Sequence, residues 1–427
     1  MKRIAQRVLM ALAVAWAAGL LTLVACAALL VGALRAAPGT WAVPVTVGPW
    51  HFSLSVPAML RMATHPLGLR LLVGHTLATP AGTLTLLPGT NESSLRIVCD
   101  PCTLRIAALG PKPLPLVRTE LTLIRIGQND LHGELRAGNV RATWRAELQS
   151  QGAHLALHVP DAPIADFYAL FSAVVPELAQ AQIEGRAGGE LRLSMPEMAW
   201  SVMPRIDAFS VSGLNTERLL SATPALACAK PTRAADAAAP FGVWLPRAVV
   251  SAEDQRFFEH TGFDLVEMQS AWASGTPRGA SSLSQQLAKL VFTGDERSVA
   301  RKLRELLYAV ELDRTLGKAR VLQLYLAMAP WGEGRCGAQA ASLHWLHKRA
   351  AELTPIEAAW LASLLRNPDA VLLRMASTGL VDQARVAVIL EGMRPVALGR
   401  RQLWIEQLGA WAPPQVLARR RLSPLNL

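Results

Sequence analysis

A multidomain α+β chain with an N-terminal membrane-spanning helix is the architecture this sequence predicts, on three observations. Residues 8–34 are uncharged and mainly apolar, residues 140–148 alternate apolar with polar side chains, and residues 283–310 place leucines and valine at helical spacing. Those three patterns are the signatures of a bilayer span, a half-buried strand and packed helices.

The first element begins with Lys2, Arg3 and Arg7 and is closed by Arg35. Its apolar run exceeds both the ~20 residues that cross a bilayer and the roughly 7–15 of a signal-peptide core. Residues 1–40 therefore read as a cytoplasmic N-terminus and transmembrane signal anchor, with the bulk of the chain on the far side by the positive-inside rule. Leu23, Val24, Ala25 and Cys26 resemble a lipobox, but the run continues beyond Cys26 and favours an uncleaved anchor.

Residues 41–220 read as a β-rich domain of unknown role. Val140, Ala142, Trp144, Ala146 and Leu148 alternate with Arg141, Thr143, Arg145 and Glu147, which is a strand with one buried face. Shorter signals recur at Leu121 and Leu123, Leu155 and Leu157, and Leu191 and Leu193, between Gly, Asn and Pro turns. One helix is expected near residues 164–178. The patterning is faintly similar to the elongated β-sheet proteins of the AsmA type, which span the Gram-negative periplasm. An Ala/Pro-rich stretch at 221–240 then reads as a linker.

Cysteines are sparse. Cys99 and Cys102 form a C-x-x-C that predicts a local disulfide in an oxidising compartment, since a zinc site needs two further ligands. Parity alone pairs Cys228 with Cys336.

Past the linker the pattern turns helical and carries chemistry. Residues 253–264 read EDQRFFEHTGFD, with the spacing E-D-x-x-F-x-x-H-x-G-x-D. In RGASSLSQQLAKL, residues 278–290, Leu283, Leu287 and Leu290 make an apolar stripe, while Ser281, Gln285 and Lys289 fall on another helical face. A helix is expected from Ser298 to a stop at Gly317, packing through Leu303, Leu306, Leu307 and Val310. Arg297, Arg301 and Glu305 are four apart, so they are expected on one stripe of that helix. On a solvated surface an Arg301–Glu305 pair would contribute only about 0.2–0.5 kcal/mol. Thr354, Pro355 and Glu357 signal a further helix start.

These segments resemble, in order, the signatures of the peptidoglycan glycosyltransferases, which polymerise lipid II into glycan strands. Residues 253–264 resemble the first, 278–290 the second (G-G-S-T-I-T-Q-Q-x-x-K-N), and Arg301, Lys302 and Glu305 the third (R-K-x-x-E). Residues 321–342 and 352–368 resemble the last two. The resemblance covers about residues 240–370 and implies a mainly α-helical, lysozyme-like glycosyltransferase domain, placed at 241–395. It makes Glu253 the general base and Glu305 the second essential carboxylate, near the pyrophosphate and a divalent metal, Mg or Mn, that Glu305 is the candidate to bind. Substrate binding falls to Asp254, Phe257, His260, Gly262, Ser281, Ser282, Gln285, Gln286, Lys289, Arg297, Arg301 and Lys302. No organic cofactor is implied. The implied partners are lipid II, the nascent glycan strand, the membrane and cell-wall synthesis proteins, and the implied location is the bacterial inner membrane with most of the chain in the periplasm.

Charge separates this reading from its rivals. A departing pyrophosphate needs fixed cations, which Lys289, Arg297, Arg301 and Lys302 supply, whereas a lysozyme-like hydrolase needs a protonated carboxyl as general acid. A formal net charge of +11 suits anionic headgroups and phosphate, and no nucleic-acid motif accompanies it. The tail 396–427, with Trp404, Trp411, Arg419, Arg420 and Arg421, is a candidate for the membrane interface. No S-x-x-K, S-x-N and K-T-G set follows, so a monofunctional chain is expected. Ala280, Ser282, Leu290, Asp313 and Ala327 depart from the family pattern. The loss of amides at Leu290 and Ala327 keeps a non-catalytic lipid- or partner-binding protein as the alternative.

Overall fold

The computed structural model describes residues 16, 21–22, 32–47, 50–91, 94–104, 112–221, 240–273, 281–365 and 367–413. Most of the expected anchor, nearly all of the linker, Ala280 and Arg419 to Arg421 lie outside them. Among the described residues no helix is long and apolar enough to cross a membrane.

The chain divides into two compact units. The first comprises residues 1–103, 116–162 and 188–205, and the second comprises 104–115, 163–187 and 206–427. Three stretches of the region read as β-rich, 104–115, 163–187 and 206–220, thus fall in the same unit as the helical part.

In the first unit a hairpin pairs β1 (Ala42–Val47) with β2 (Trp50–Ser55). Helices α1 (Val56–Ala63) and α2 (Pro66–Leu72) follow, and Ser55 caps α1 by accepting from the Ala58 amide. The strands are β3 (Thr76–Thr79), β4 (Gly82–Pro88), β5 (Ser94–Leu104), β6 (Leu114–Leu116), β7 (Thr119–Ile126), β8 (Asp130–Ala137), β9 (Val140–Leu148), β10 (Ala153–Pro163), β11 (Gln182–Met195) and β12 (Ala199–Ser212). They form a ten-stranded sheet in the order β12-β11-β10-β9-β8-β7-β5-β4-β3, with β6 beside β5. Strands β10, β11 and β12 contribute residues to both units.

The alternation in β9 is realised. Val140, Ala142, Trp144 and Leu148 are buried, while Arg141, Thr143, Arg145 and Glu147 are exposed. Trp144 lies opposite Gly133 of β8 and donates its indole N–H to the Thr122 carbonyl at 3.1 Å. A Cβ at Gly133 would collide with that same carbonyl, so the glycine lets the indole and the strand approach. Leu69 of α2 closes a second small core with Leu86 and Leu95. Cys99 and Cys102 form the expected disulfide.

The second unit is helical. After α3 (Ile164–Ala169) come α4 (Trp244–Glu253), α5 (Leu265–Ala273), α6 (Leu283–Ala288), α7 (Val299–Met328), α8 (Ala338–Leu346), α9 (Pro355–Ser363), α10 (Pro368–Thr378), α11 (Gln383–Gly392) and α12 (Leu398–Leu408). The helix expected at 164–178 is shorter, since α3 gives way to turns and a 3-10 turn at Pro176–Ala179. Thr354 and Glu357 form the expected capping box of α9, which is buried along its length and packs against α4 and α11. Trp331 and Trp360 are fully buried in the same core.

The tail differs from expectation. Trp404 on α12 is 8% exposed and packs edge-on against Trp244 at 5.2 Å, and Trp411 lies 5.9 Å from Trp360. Trp404 belongs to the helical core and Trp411 packs against it. Cys336 is disulfide-bonded, and its expected partner Cys228 lies outside the described residues.

Candidate active site

Glu253 ends α4 and Asp254 begins the loop that crosses to α5. The loop residues of the first signature are inward-facing. Asp254 accepts from the Leu283 amide at 2.9 Å and from His260 Nε2 at 3.0 Å, tying the loop to the start of α6. Lys318 Nζ lies 3.4 Å from His260 Nδ1. An ammonium only donates, so Nδ1 accepts and Nε2 carries the proton toward Asp254. Lys318 also pairs with Asp313 and sits 4.4 Å above the ring of Phe257. Gly262 has φ +83°, and a Cβ there would lie 2.7 Å from the Val310 backbone, so only glycine fits. Asp264 caps α5 by accepting from Val266 and Glu267.

The structure therefore places Asp254, Phe257, His260 and Gly262 in the supporting framework rather than on a substrate surface. Ser282 and Gln285 join them. Ser282 is the N-cap of α6 and Gln285 closes its capping box. Ser281, expected on the helix face with Gln285 and Lys289, precedes that cap and stands outside the helix. Leu283 and Leu287 are fully buried as expected, and Lys289 opens a π-helical turn, Lys289–Thr293, where it pairs with Asp295 at 2.5 Å.

What remains is one continuous polar chain between the two carboxylates. Gln286 Nε2 donates to Glu253 Oε2 at 3.1 Å and lies 3.5 Å from the Ser281 carbonyl. Lys302 Nζ donates to Ser281 Oγ at 2.7 Å and pairs with Glu305 Oε2 at 2.8 Å. Arg301 binds Glu305 Oε1. The Glu305 side chain is 1% exposed and that of Glu253 is 7% exposed. A carboxylate buried as deeply as Glu305 is stable only when paired, and two cations pair it. The weak surface ion pair is thereby replaced by a buried triad.

Burial first, then the charges of Arg301 and Lys289, pull the Lys302 ammonium down to about 8. The Glu305 carboxylate beside it acts in the opposite sense and favours the charged form. Arg297 does not share the stripe. Ser298 has extended backbone and caps α7, so Arg297 sits exposed before the helix. Gly317 interrupts α7 with φ +71°, where the helix stop was expected.

Sequence reasoning missed two residues at this site. Tyr325 donates to Gln286 Oε1 at 3.0 Å, and its phenol is pushed well above its usual range by burial and then by the charge of Glu253. Arg385 of α11 reaches the Ala252 carbonyl at 2.8 Å and lies 3.9 Å from Glu253 Oε1. Tyr325 stood inside a recognised stretch, whereas nothing in the local sequence marks Arg385. Ala327 is buried and Leu290 packs against the same core, so these departures fill apolar positions and leave the polar chain intact.

Glu305 forms ion pairs with Arg301 and Lys302, and among the described residues no group of three or more His, Cys, Asp or Glu side chains is gathered to hold a metal ion.

The fold and the site define a helical domain that holds a buried carboxylate–cation array beside a second carboxylate. The transglycosylase family model matches residues 232–394. The chain is 39% identical over 161 residues to a biosynthetic peptidoglycan transglycosylase of Thiobacillus denitrificans, covering 36% of this chain and 68% of the relative. Proteins of the same name are 40% identical over 147 residues in Nitrosomonas eutropha (33% and 60%) and 42% identical over 156 residues in Klebsiella oxytoca (35% and 64%). The chain belongs to the transglycosylase family. It spans about three fifths of the length of the Nitrosomonas relative.

Proposed function

We propose that this chain is a membrane-anchored peptidoglycan glycosyltransferase that polymerises lipid II and releases undecaprenyl pyrophosphate, on a lysozyme-like helical domain. The observation that carries the reading is the polar chain from Glu253 through Gln286, Ser281 and Lys302 to Glu305 and Arg301. Glu253 takes the proton from the 4-hydroxyl of the acceptor GlcNAc as that oxygen attacks the donor's anomeric carbon with inversion. Arg301, Lys302 and Lys289 neutralise the charge that grows on the departing pyrophosphate. Glu305 holds Arg301 and Lys302 in place. The carboxylate and cation types answer a glycosyl transfer from a pyrophosphate donor better than glycan hydrolysis, which requires a protonated acid.

The proposed partners are lipid II, the growing glycan and the inner membrane, with the described units in the periplasm. The experiment is direct. Detergent-solubilised full-length protein incubated with labelled lipid II should yield glycan polymer; binding without extension would refute the transferase reading in favour of a non-catalytic binder.

A further inference from the structure

We propose that residues 163–187 and 206–220, which lie outside the family match, form a clamp that positions the cation-bearing segments of the site, with Glu177 and Arg218 as its positioning residues. The inference rests on the proposed glycosyl transfer for its kinetic consequence, though not for its structural one.

The contacts are specific. Arg301, Lys302 and Glu305 occupy the first turns of α7, and the clamp grips those same turns through neighbouring residues. Glu177 Oε1 accepts from Arg304 Nε at 2.7 Å, and the Glu177 side chain is 4% exposed. Tyr168 donates to the Leu303 carbonyl at 3.2 Å. Further along α7, the Glu311 carboxylate accepts from the Leu214 amide at 2.9 and 3.1 Å, and Arg314 donates to the Val211 carbonyl at 2.9 Å. A second grip reaches the π-helical turn that carries Lys289. Phe292 of that turn stacks on Tyr308 of α7 with ring centroids 4.0 Å apart, and the Arg218 guanidinium lies over the Phe292 ring, 5.4 Å from its centroid.

A buried carboxylate such as Glu177 is costly unless paired, and its pairing fixes the rotation of the helix turn that bears Arg304. The backs of both cation-bearing segments are thus held by side chains that the family match does not contain. Stabilisation of a pyrophosphate depends on cations held in register with it, so loosening the grip should weaken donor binding and turnover together.

The test uses the full-length protein and the variants Glu177→Ala, Glu177→Gln and Arg218→Ala. Amide hydrogen exchange over residues 289–308 should accelerate about tenfold in Glu177→Ala. Polymerisation should lose about tenfold in kcat with a raised KM for lipid II. Glu177→Gln keeps an acceptor for Arg304 and should fall between that variant and the wild type. If the alanine variant fails to fold, the glutamine and Arg218 variants decide. Unchanged exchange overturns the clamp even if the wild-type protein proves unable to polymerise lipid II, a failure that would sink the proposed function separately. Where the wild type is active, accelerated exchange with unaltered kinetics overturns the positioning role. A fall in kcat alone, at constant KM and with unchanged exchange, would mean mere loss of folded enzyme and likewise overturns it.

Discussion

Tyr325 gives its phenol hydrogen to Gln286 Oε1 at 3.0 Å, which leaves the Gln286 amide nitrogen facing Glu253 Oε2 at 3.1 Å. An amide has two chemically opposite ends, and Tyr325 decides which end Glu253 meets. Burial and the nearby Glu253 charge keep the phenol protonated, so the donor role is fixed across the working pH range.

Tyr325→Phe should therefore let the Gln286 amide turn over and present its oxygen to Glu253. A hydrogen bond of this kind is worth about 1 kcal/mol, so kcat for polymerisation should fall about five- to tenfold with little change in KM. Thermal stability should drop only slightly. Steady-state kinetics with matched melting curves checks this, and wild-type kcat in the variant would show that Gln286 needs no such orientation.

Glu253→Gln removes the proposed base while keeping its size and an acceptor for Gln286. Positioned acid–base catalysis contributes about 100- to 10,000-fold, so polymerisation should fall by that order with lipid II binding retained. Activity within threefold of wild type would exclude Glu253 as the base.

Arg301→Ala should do more than remove a surface charge, because it takes away one of the two cations that pair the buried Glu305 and leaves Lys302. Breaking a buried pair costs about 3–5 kcal/mol, against well under 1 kcal/mol for an exposed one. Both kcat and lipid II affinity should fall, and the melting temperature with them. Arg301→Lys should recover only part of the loss, since an ammonium cannot make the bidentate contact. An unshifted melt together with unaltered kinetics would return this pair to the solvated surface.

Local periodicity made much of the helical domain legible. The stripe of Leu283 and Leu287, the cap at Thr354 and the break at Gly317 all appear where spacing places them. The alternation around Trp144 likewise gave a real strand. Individual roles were less legible, because a motif records that a residue type is required without recording which way it faces. Asp254, Phe257, His260 and Gly262 match the signature yet point inward, where they lock the loop to α6 and α7. The clamp was invisible for a different reason. Glu177 and Arg304 are 127 residues apart, and no local pattern reports a pairing over that separation.

Removing everything before residue 240 should unfold the helical domain rather than liberate it. Ile164, Tyr168, Val175, Val211, Leu214 and Leu219 are buried in the same core as α4 and α7. Each such side chain contributes about 1.5–3 kcal/mol on burial, and their sum rivals the roughly 5–15 kcal/mol net stability of a domain. The truncated protein should be insoluble or lack a cooperative melt. A soluble, cooperatively melting fragment would show that the family-matched region folds alone.

The last prediction concerns pH. Lys302 titrates at about 8 against about 10.4 for a free lysine. In the proposed function its charge serves pyrophosphate binding, so lipid II kcat/KM should fall as pH rises through about 8 in the free enzyme. Lys302→Arg should flatten that limb, because a guanidinium stays charged, at the expense of geometry at Ser281. Stability moves the other way. Between about 8 and 10.4 the unfolded chain holds a proton on this lysine that the folded chain has released, so unfolding takes up protons and the contribution of Lys302 to stability rises with pH. Below about 8 both states are protonated, and the cost of burying the ammonium is present in full. Kinetic and melting profiles measured on the same preparation should therefore diverge above pH 8 in the wild type. A kcat/KM limb that persists unchanged in Lys302→Arg would assign the titration to another group.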